Sequence, residues 1–141
     1  MELTDYHTAL WGIALIILMM VIQWLIATVS KASQKGAIPG KIDESLSHDS
    51  FVFRAHRTFM NSMENLPMMM SSAFLALFVG ASPTWTSVFI WAFLIARLGH
   101  MALYYGIATE KNPSPRSYFF ALGFFASSAL LILTMVTLAG F

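Results

Sequence analysis

The chain has 141 residues, of which 57% are hydrophobic and 11% are charged, and its mean hydropathy is +0.69. Soluble domains carry about 25% charged residues, so this composition excludes an ordinary soluble protein and predicts an integral membrane protein. The sequence contains no cysteine, which excludes disulfides, thiolate metal sites and a cysteine nucleophile. Its net charge of +1 gives no overall attraction to nucleic acid.

Four apolar segments predict an all-α fold, a single domain that is an integral membrane four-helix bundle. Three of the segments hold about 20 mostly apolar residues, enough to cross the hydrocarbon core. A signal peptide is the alternative for the first segment, but no Lys or Arg precedes it, which disfavours that interpretation. The predicted spans are about 8–30, 54–80, 85–107 and 117–140, with a connecting loop at about 31–50.

The second span carries polar residues into the membrane. Too few apolar residues lie between Pro67 and the turn signal at Gly80 to cross the bilayer, so this helix has to begin near Arg54. Asn61 and Glu64 then lie within the membrane. Ionisable groups at such depth are costly and usually face a protein interior or a wet cavity, so we expect a functional site here.

The basic residues predict the orientation. The first and third connections and the adjoining helix starts contain all the Lys and Arg outside the third span, and four spans place these connections on one side. The positive-inside rule makes that side cytoplasmic and both termini non-cytoplasmic, in a bacterial inner membrane or an internal eukaryotic membrane. The residues counted are Lys31, Lys35, Lys41, Arg54, Arg57, Lys111 and Arg116.

Helical spacing places polar side chains on one face of the second helix and on one face of the third, both in the cytoplasmic half of the membrane. These residues are Arg54, Arg57, Asn61, Glu64 and Asn65 on the second helix, and Arg97, His100 and Tyr104 on the third. Arg116 and Ser117 open the fourth helix on the same side. Because arginines outnumber acids, this pattern predicts a pocket for an anion.

A purely structural network is the alternative, in which buried Arg and Glu pair to lock the helices together. Such a network should balance its own charge, which the surplus of arginine does not. Glu64 is therefore expected to orient an arginine or to receive the ammonium group of a ligand. His7, His48 and His56 show no metal-ligand spacing with acids and are interpreted as interfacial side chains, so no metal site is predicted.

Three motifs resemble the MAPEG family, the membrane-associated proteins in eicosanoid and glutathione metabolism, and the resemblance covers essentially the whole chain. The most specific is the Arg-x3-Asn-x2-Glu-Asn-x-Pro pattern within RAHRTFMNSMENLP at residues 54–67. The RLGHMALY segment at 97–104 matches the Arg-x2-His-x3-Tyr pattern of microsomal prostaglandin E synthase, and PRS at 115–117 resembles its Arg-Ser pair.

The resemblance implies a homotrimer that binds glutathione between subunits. Carried over to this sequence, it implies that Arg116 and Ser117 lie at the sulfur and stabilise the thiolate. Lys31 or Lys35 is the counterpart of a further basic contact. The residues that it implies for glutathione binding are Arg54, Arg57, Asn61, Glu64, His100, Tyr104 and Arg116.

One departure bears on the activity. Phe120 stands where the prostaglandin synthase has a tyrosine, which favours a general glutathione transferase, with glutathione peroxidase as a second activity, over that synthase's isomerase chemistry. The expected second substrate is a lipophilic electrophile or a lipid hydroperoxide from the membrane. Two alternatives remain: a non-catalytic lipid-binding or scaffold protein of the same fold, and a small proton or ion transporter with Arg97, His100 and Glu64 as its relay.

Overall fold

The computed structural model describes residues 2–140 and contains four long α-helices. A 3-10 turn at Leu3–Tyr6 precedes the first helix, and no strand occurs within the described range. This confirms the prediction of an all-α membrane bundle. The helices are α1 at His7–Ala32, α2 at Phe51–Phe78, α3 at Pro83–Gly106 and α4 at Pro115–Leu138, each within a few residues of the predicted span.

Proline and glycine define several of the helix ends. Pro83 and Pro115 occupy the first positions of α3 and α4, where the missing N–H has no intrahelical partner in any case. After α2, Gly80 adopts a φ of 67°, a left-handed conformation that glycine reaches without a steric cost. Gly80 and Pro83 thus end α2 and begin α3 over a very short connection.

Three of the four helices, α1, α3 and α4, are long and apolar enough to cross a membrane. The remaining helix, α2, has 28 residues and spans about 42 Å at 1.5 Å per residue, so it has the necessary length. Its lower hydropathy comes from the polar residues in its first half, and it continues through Pro67 without interruption. The polar helix is thus one of the four helices that build the bundle.

The centre of the bundle is formed by α2 and α3, each of which contacts the other three helices, and the most extensive contact is between α3 and α4. Close approach of α3 to α4 depends on Gly99, where an added Cβ would lie 2.3 Å from the ring of Phe119. Large side chains fill the core, among them Ile16, Met69, Ile90, Phe93 and Leu130.

The two ends of the bundle differ in character. At one end the Tyr6 hydroxyl donates to the carbonyl of Ala81, and the Trp91 indole donates to the carbonyl of Thr8 at 3.0 Å, which ties the amino terminus to α3 and its preceding turn. The opposite end holds the two longer connections, the α1–α2 loop (residues 33–50) and the α3–α4 connection (residues 107–114). The candidate site lies at this second end.

Candidate functional site

Arg97 is buried between α2 and α3. Its guanidinium is 1% exposed, and Nη2 donates to the amide oxygen of Asn61 at 2.8 Å and to the hydroxyl of Ser62 at 2.9 Å. Within residues 2–140, its Nε and Nη1 have no hydrogen-bond partner. Burying a cation whose N–H groups lack hydrogen-bond partners is costly. Nε and Nη1 of Arg97 are therefore available as donors to a further hydrogen-bond acceptor.

One turn towards the loops, His100 and Tyr104 continue the polar line on α3. Both side chains are buried, and their ring centroids lie 5.3 Å apart. The Tyr104 hydroxyl lies 3.0 Å from Nε2 of His48, which belongs to the α1–α2 loop. The helical spacing predicted that Arg97, His100 and Tyr104 share one face, and the structure places all three inside the bundle.

Arg116 on α4 contacts Tyr104, one of the polar residues of α3. Its guanidinium carbon lies 4.1 Å from the centroid of the Tyr104 ring, a cation–π contact, and Nη2 donates to the carbonyl of Thr109 at 2.8 Å. In the described part of the chain, Nη1 is buried and has no partner. Stacking and one backbone contact therefore fix the guanidinium plane and leave another nitrogen available to an anion.

Ser117 follows Arg116 in the first turn of α4 and has a structural role there. Its hydroxyl oxygen accepts the backbone N–H of Ser114 at 3.2 Å, as in a capping box. This contact uses the oxygen as an acceptor and leaves the hydroxyl proton free to donate. The same side chain can thus cap the helix and donate to a negatively charged atom nearby.

Arg116 and Ser117 line a cavity of about 480 Å³ between the two connections, a volume within the range of small-molecule sites. His48, Phe53 and Glu110 also line this cavity. The cavity opens at the polar end of the bundle, so water-soluble ligands can reach it.

Arg54, expected to bind ligand, is engaged with the backbone. Its Nη1 donates to the carbonyls of His48 at 2.7 Å and Asp49 at 2.9 Å, and its Nη2 donates to the carbonyl of Tyr105 at 3.3 Å. These contacts fasten the end of the α1–α2 loop to the end of α3. The geometry therefore gives Arg54 an anchoring role at the edge of the site.

Within residues 2–140, Arg57 and Glu64 make no hydrogen bond or ion pair with the residues of this group. They are seven residues apart on α2 and so share one face, on which Arg57 is half-buried and Glu64 is exposed. Neither forms an ion pair within residues 2–140, where the single contact of that kind is between His48 and Glu110 and is an ion pair when the imidazole is protonated. The predicted polar face of α2 therefore divides: Asn61 accepts a hydrogen bond from Arg97, whereas Arg57 and Glu64 are more exposed than the core of the bundle.

The basic residues at the end of α1 line a separate cavity of about 430 Å³ under the α1–α2 loop. Lys31 and Lys35 lie in its wall with Lys41, and Leu46 is shared with the cavity at Arg116.

In the α1–α2 loop the amide and the hydroxyl of Ser45 donate to the Asp43 carboxylate at 2.9 and 2.8 Å, and these hydrogen bonds lower the pKa of Asp43.

His48 is the residue at the site that the sequence did not indicate, since it was interpreted as an interfacial side chain. Its ring contacts Tyr104, Glu110 and Phe53, which belong to three different segments. No spacing rule links a loop residue to partners more than fifty positions away. Only the folded chain brings these groups together.

Two comparisons with known proteins bear on identity. No curated protein matches the chain. The model of the MAPEG family matches residues 8–136, which is nearly the whole chain. Together with the four-helix membrane fold and the polar residues of α2, α3 and α4, this match shows that the chain belongs to the MAPEG family.

Proposed function

We propose that this protein is a membrane-bound glutathione transferase that stabilises the glutathione thiolate at Arg116 and Ser117. The observation that carries the proposal is the arrangement of Arg116, which lines an open cavity, stacks over the Tyr104 ring and has one buried guanidinium nitrogen without a hydrogen-bond partner within residues 2–140. Membership of a family that includes glutathione transferases supports it. Reduction of lipid hydroperoxides with glutathione is proposed as a second activity.

The chemistry of glutathione suits the charges of the site. Glutathione has two carboxylates, one ammonium group and a thiol, and arginine binds carboxylates through paired hydrogen bonds. A cation and a hydroxyl donor beside the sulfur favour the thiolate over the thiol and so lower the pKa of the bound thiol. The thiolate sulfur then attacks the electrophile and displaces its leaving group. The protein needs no cysteine because glutathione supplies the nucleophile.

A second copy of the chain is needed to complete the site. Glu64 is exposed on α2 at a depth where lipid would surround it, and a carboxylate facing hydrocarbon is strongly disfavoured. A neighbouring chain that covers this face would enclose both Glu64 and Arg57 in protein. We therefore propose a homotrimer that binds glutathione between subunits, with Arg57, Asn61 and Glu64 as contacts to its polar groups.

The orientation proposed for this activity places the two longer connections in the cytoplasm and both termini on the other side. Glutathione would then enter the cavity at Arg116 from the cytoplasm, and the lipophilic substrate would enter from the bilayer. The concentration of Lys and Arg at this end of the bundle supports that arrangement.

The second candidate is a non-catalytic lipid-binding protein of the same fold, which is favoured by the capping contact of Ser117. A proton relay through Arg97, His100 and Glu64 receives less support from the geometry. Glu64 is exposed on the outside of α2, whereas the other two side chains are buried inside the bundle. A continuous path would need these groups in contact.

The decisive experiment compares turnover of a model aryl halide and of a lipid hydroperoxide by the wild type and by Arg116→Met. The proposal predicts that the variant loses at least about 100-fold in turnover, a typical loss when a donor to a developing charge is removed. Lys41→Ala, on the exposed loop, is the control and should retain wild-type turnover. Binding of glutathione to the wild type without turnover of either substrate would favour the lipid-binding alternative.

A further inference from the structure

His48 connects an acidic side chain to the tyrosine beneath Arg116. Its Nε2 lies 3.0 Å from the Tyr104 hydroxyl and its Nδ1 lies 3.5 Å from a carboxylate oxygen of Glu110. The three side chains form a line from Glu110 and His48, which line the cavity, to the buried Tyr104. The outer end is open to water, since Glu110 is 72% exposed and His48 is 22% exposed.

The contacts of His48 define the roles of its two nitrogens. A carboxylate only accepts hydrogen bonds, so we assign the hydrogen of the neutral ring to the nitrogen that faces Glu110 at 3.5 Å. The other nitrogen, Nε2, is then an acceptor for the Tyr104 hydroxyl. A carboxylate that fixes a histidine with its free nitrogen towards a hydroxyl is the arrangement used to activate nucleophiles in hydrolases.

The surrounding residues hold His48 in place. The Arg54 guanidinium donates to its carbonyl at 2.7 Å, and the Phe53 ring meets the imidazole edge to face at 5.0 Å. The charged groups around His48 are Arg116, which stacks on the Tyr104 ring, Lys111, which lines the same cavity, and Glu110.

Arg116 and Ser117 leave one step of the proposed reaction unassigned. They stabilise the thiolate once it exists, but arginine is always protonated and a serine hydroxyl is not a base, so neither accepts the thiol proton. A stabilised anion still needs a proton acceptor in order to form quickly. His48, between Tyr104 and Glu110, has a ring nitrogen that can accept a proton.

We propose that His48 accepts the proton of the glutathione thiol through Tyr104, an inference that rests on the proposed function. The S–H bond breaks as its proton passes to the Tyr104 oxygen, and the Tyr104 proton passes to Nε2 of His48. The products are a thiolate, a neutral tyrosine and an imidazolium paired with Glu110. Water at the cavity mouth then takes the proton from His48, and no electrons are exchanged. His48 is thus a positioning and proton-accepting residue that acts through Tyr104.

The test separates the rate of thiolate formation from its final amount. Wild type, His48→Gln and Glu110→Gln are mixed with glutathione in a stopped-flow instrument, and thiolate absorbance is followed in the ultraviolet. A glutamine oxygen can still accept the Tyr104 hydroxyl hydrogen bond but cannot take a proton. We expect His48→Gln to slow thiolate formation by roughly 100-fold, the scale of general-base catalysis, with an unchanged final amount.

Two further variants control for structure. His7→Gln changes a histidine at the opposite end of the bundle, where it contacts Trp11, and should form thiolate at the wild-type rate. His48→Ala should be slow like His48→Gln and should regain speed when free imidazole is added, because imidazole restores an acceptor and not a packing contact. Glu110→Gln should slow the rate less than either change at His48.

The possible results separate the two proposals. A wild-type rate in His48→Gln, or no response of His48→Ala to imidazole while both variants still bind glutathione, would overturn the role of His48 and leave the transferase proposal intact. If the wild type binds glutathione but forms no thiolate, the proposed function itself fails, and the inference fails with it.

Discussion

Replacing Gly99 with alanine tests whether the packing of α3 against α4 positions Arg116. The added Cβ would lie 2.3 and 2.4 Å from two ring carbons of Phe119 and 3.0 Å from a third. Carbon atoms pack best at about 3.5–4.0 Å, so the ring or α4 has to move by roughly 1 Å or more. Phe119 lies one turn after Arg116, so a shift of α4 also moves the guanidinium.

The expected cost comes from two opposing effects. Overpacking of a close contact costs about 1–3 kcal/mol, and replacing a helical glycine with alanine returns up to about 1 kcal/mol. Gly106→Ala is the matched control, because it lies on the same helix and its Cβ would meet no atom within 4 Å. Gly99→Ala should therefore be less stable than Gly106→Ala by about 1–3 kcal/mol.

Unfolding in detergent with circular dichroism detection measures this difference, and calorimetry on the same samples measures glutathione affinity. Gly99→Ala should bind glutathione more weakly than the control, and adding Phe119→Leu should recover part of both losses because it removes the atoms that clash. Equal stability and equal affinity of Gly99→Ala and Gly106→Ala would refute the claim that this contact positions Arg116.

Three further predictions follow from contacts near the site. Ser62→Ala removes a partner from the buried Arg97 guanidinium and should lower the free energy of unfolding by about 1–3 kcal/mol, measured by unfolding in detergent. Arg54→Lys loses the planar fork that binds three carbonyls, so limited proteolysis should cut the α1–α2 loop faster than in the wild type. The carboxyl of Asp43 should titrate below its ordinary pKa by nuclear magnetic resonance, so its contribution to stability is present at neutral pH and is lost as the pH falls through the lowered pKa. Ser45→Ala should raise that pKa only in part, because the backbone N–H, the larger cause, remains.

The fold was predictable because the membrane restricts the choices. Each predicted span is long enough to cross the hydrocarbon core as a helix. In lipid, the backbone N–H and C=O groups of a single segment have to form hydrogen bonds with one another, which an α-helix achieves. Local signals then placed the helix starts, as at Pro83 and Pro115. Periodicity also grouped Arg97, His100 and Tyr104 on one face of α3, and the structure places that face inside the bundle.

The site was less predictable because periodicity does not say which neighbour a face meets. Arg54 and Arg57 share one predicted face of α2, yet Arg54 binds backbone carbonyls and Arg57 forms no ion pair within residues 2–140. His48 lies in a loop with no periodic pattern, and its contact with Tyr104 joins residues 56 positions apart. Such contacts depend on how the connections fold over the helix ends, and sequence spacing holds no information on that.

The most direct test of the central claim is the ionisation state of bound glutathione. Ultraviolet difference spectra of the purified protein saturated with glutathione, recorded as a function of pH, give the pKa of the bound thiol. Stabilisation by Arg116 predicts a thiolate already present at neutral pH in the wild type, and a thiol pKa that returns towards that of free glutathione in Arg116→Met. Bound glutathione that remains a thiol at neutral pH, or an Arg116→Met variant with the wild-type pKa, would overturn the proposed role of Arg116.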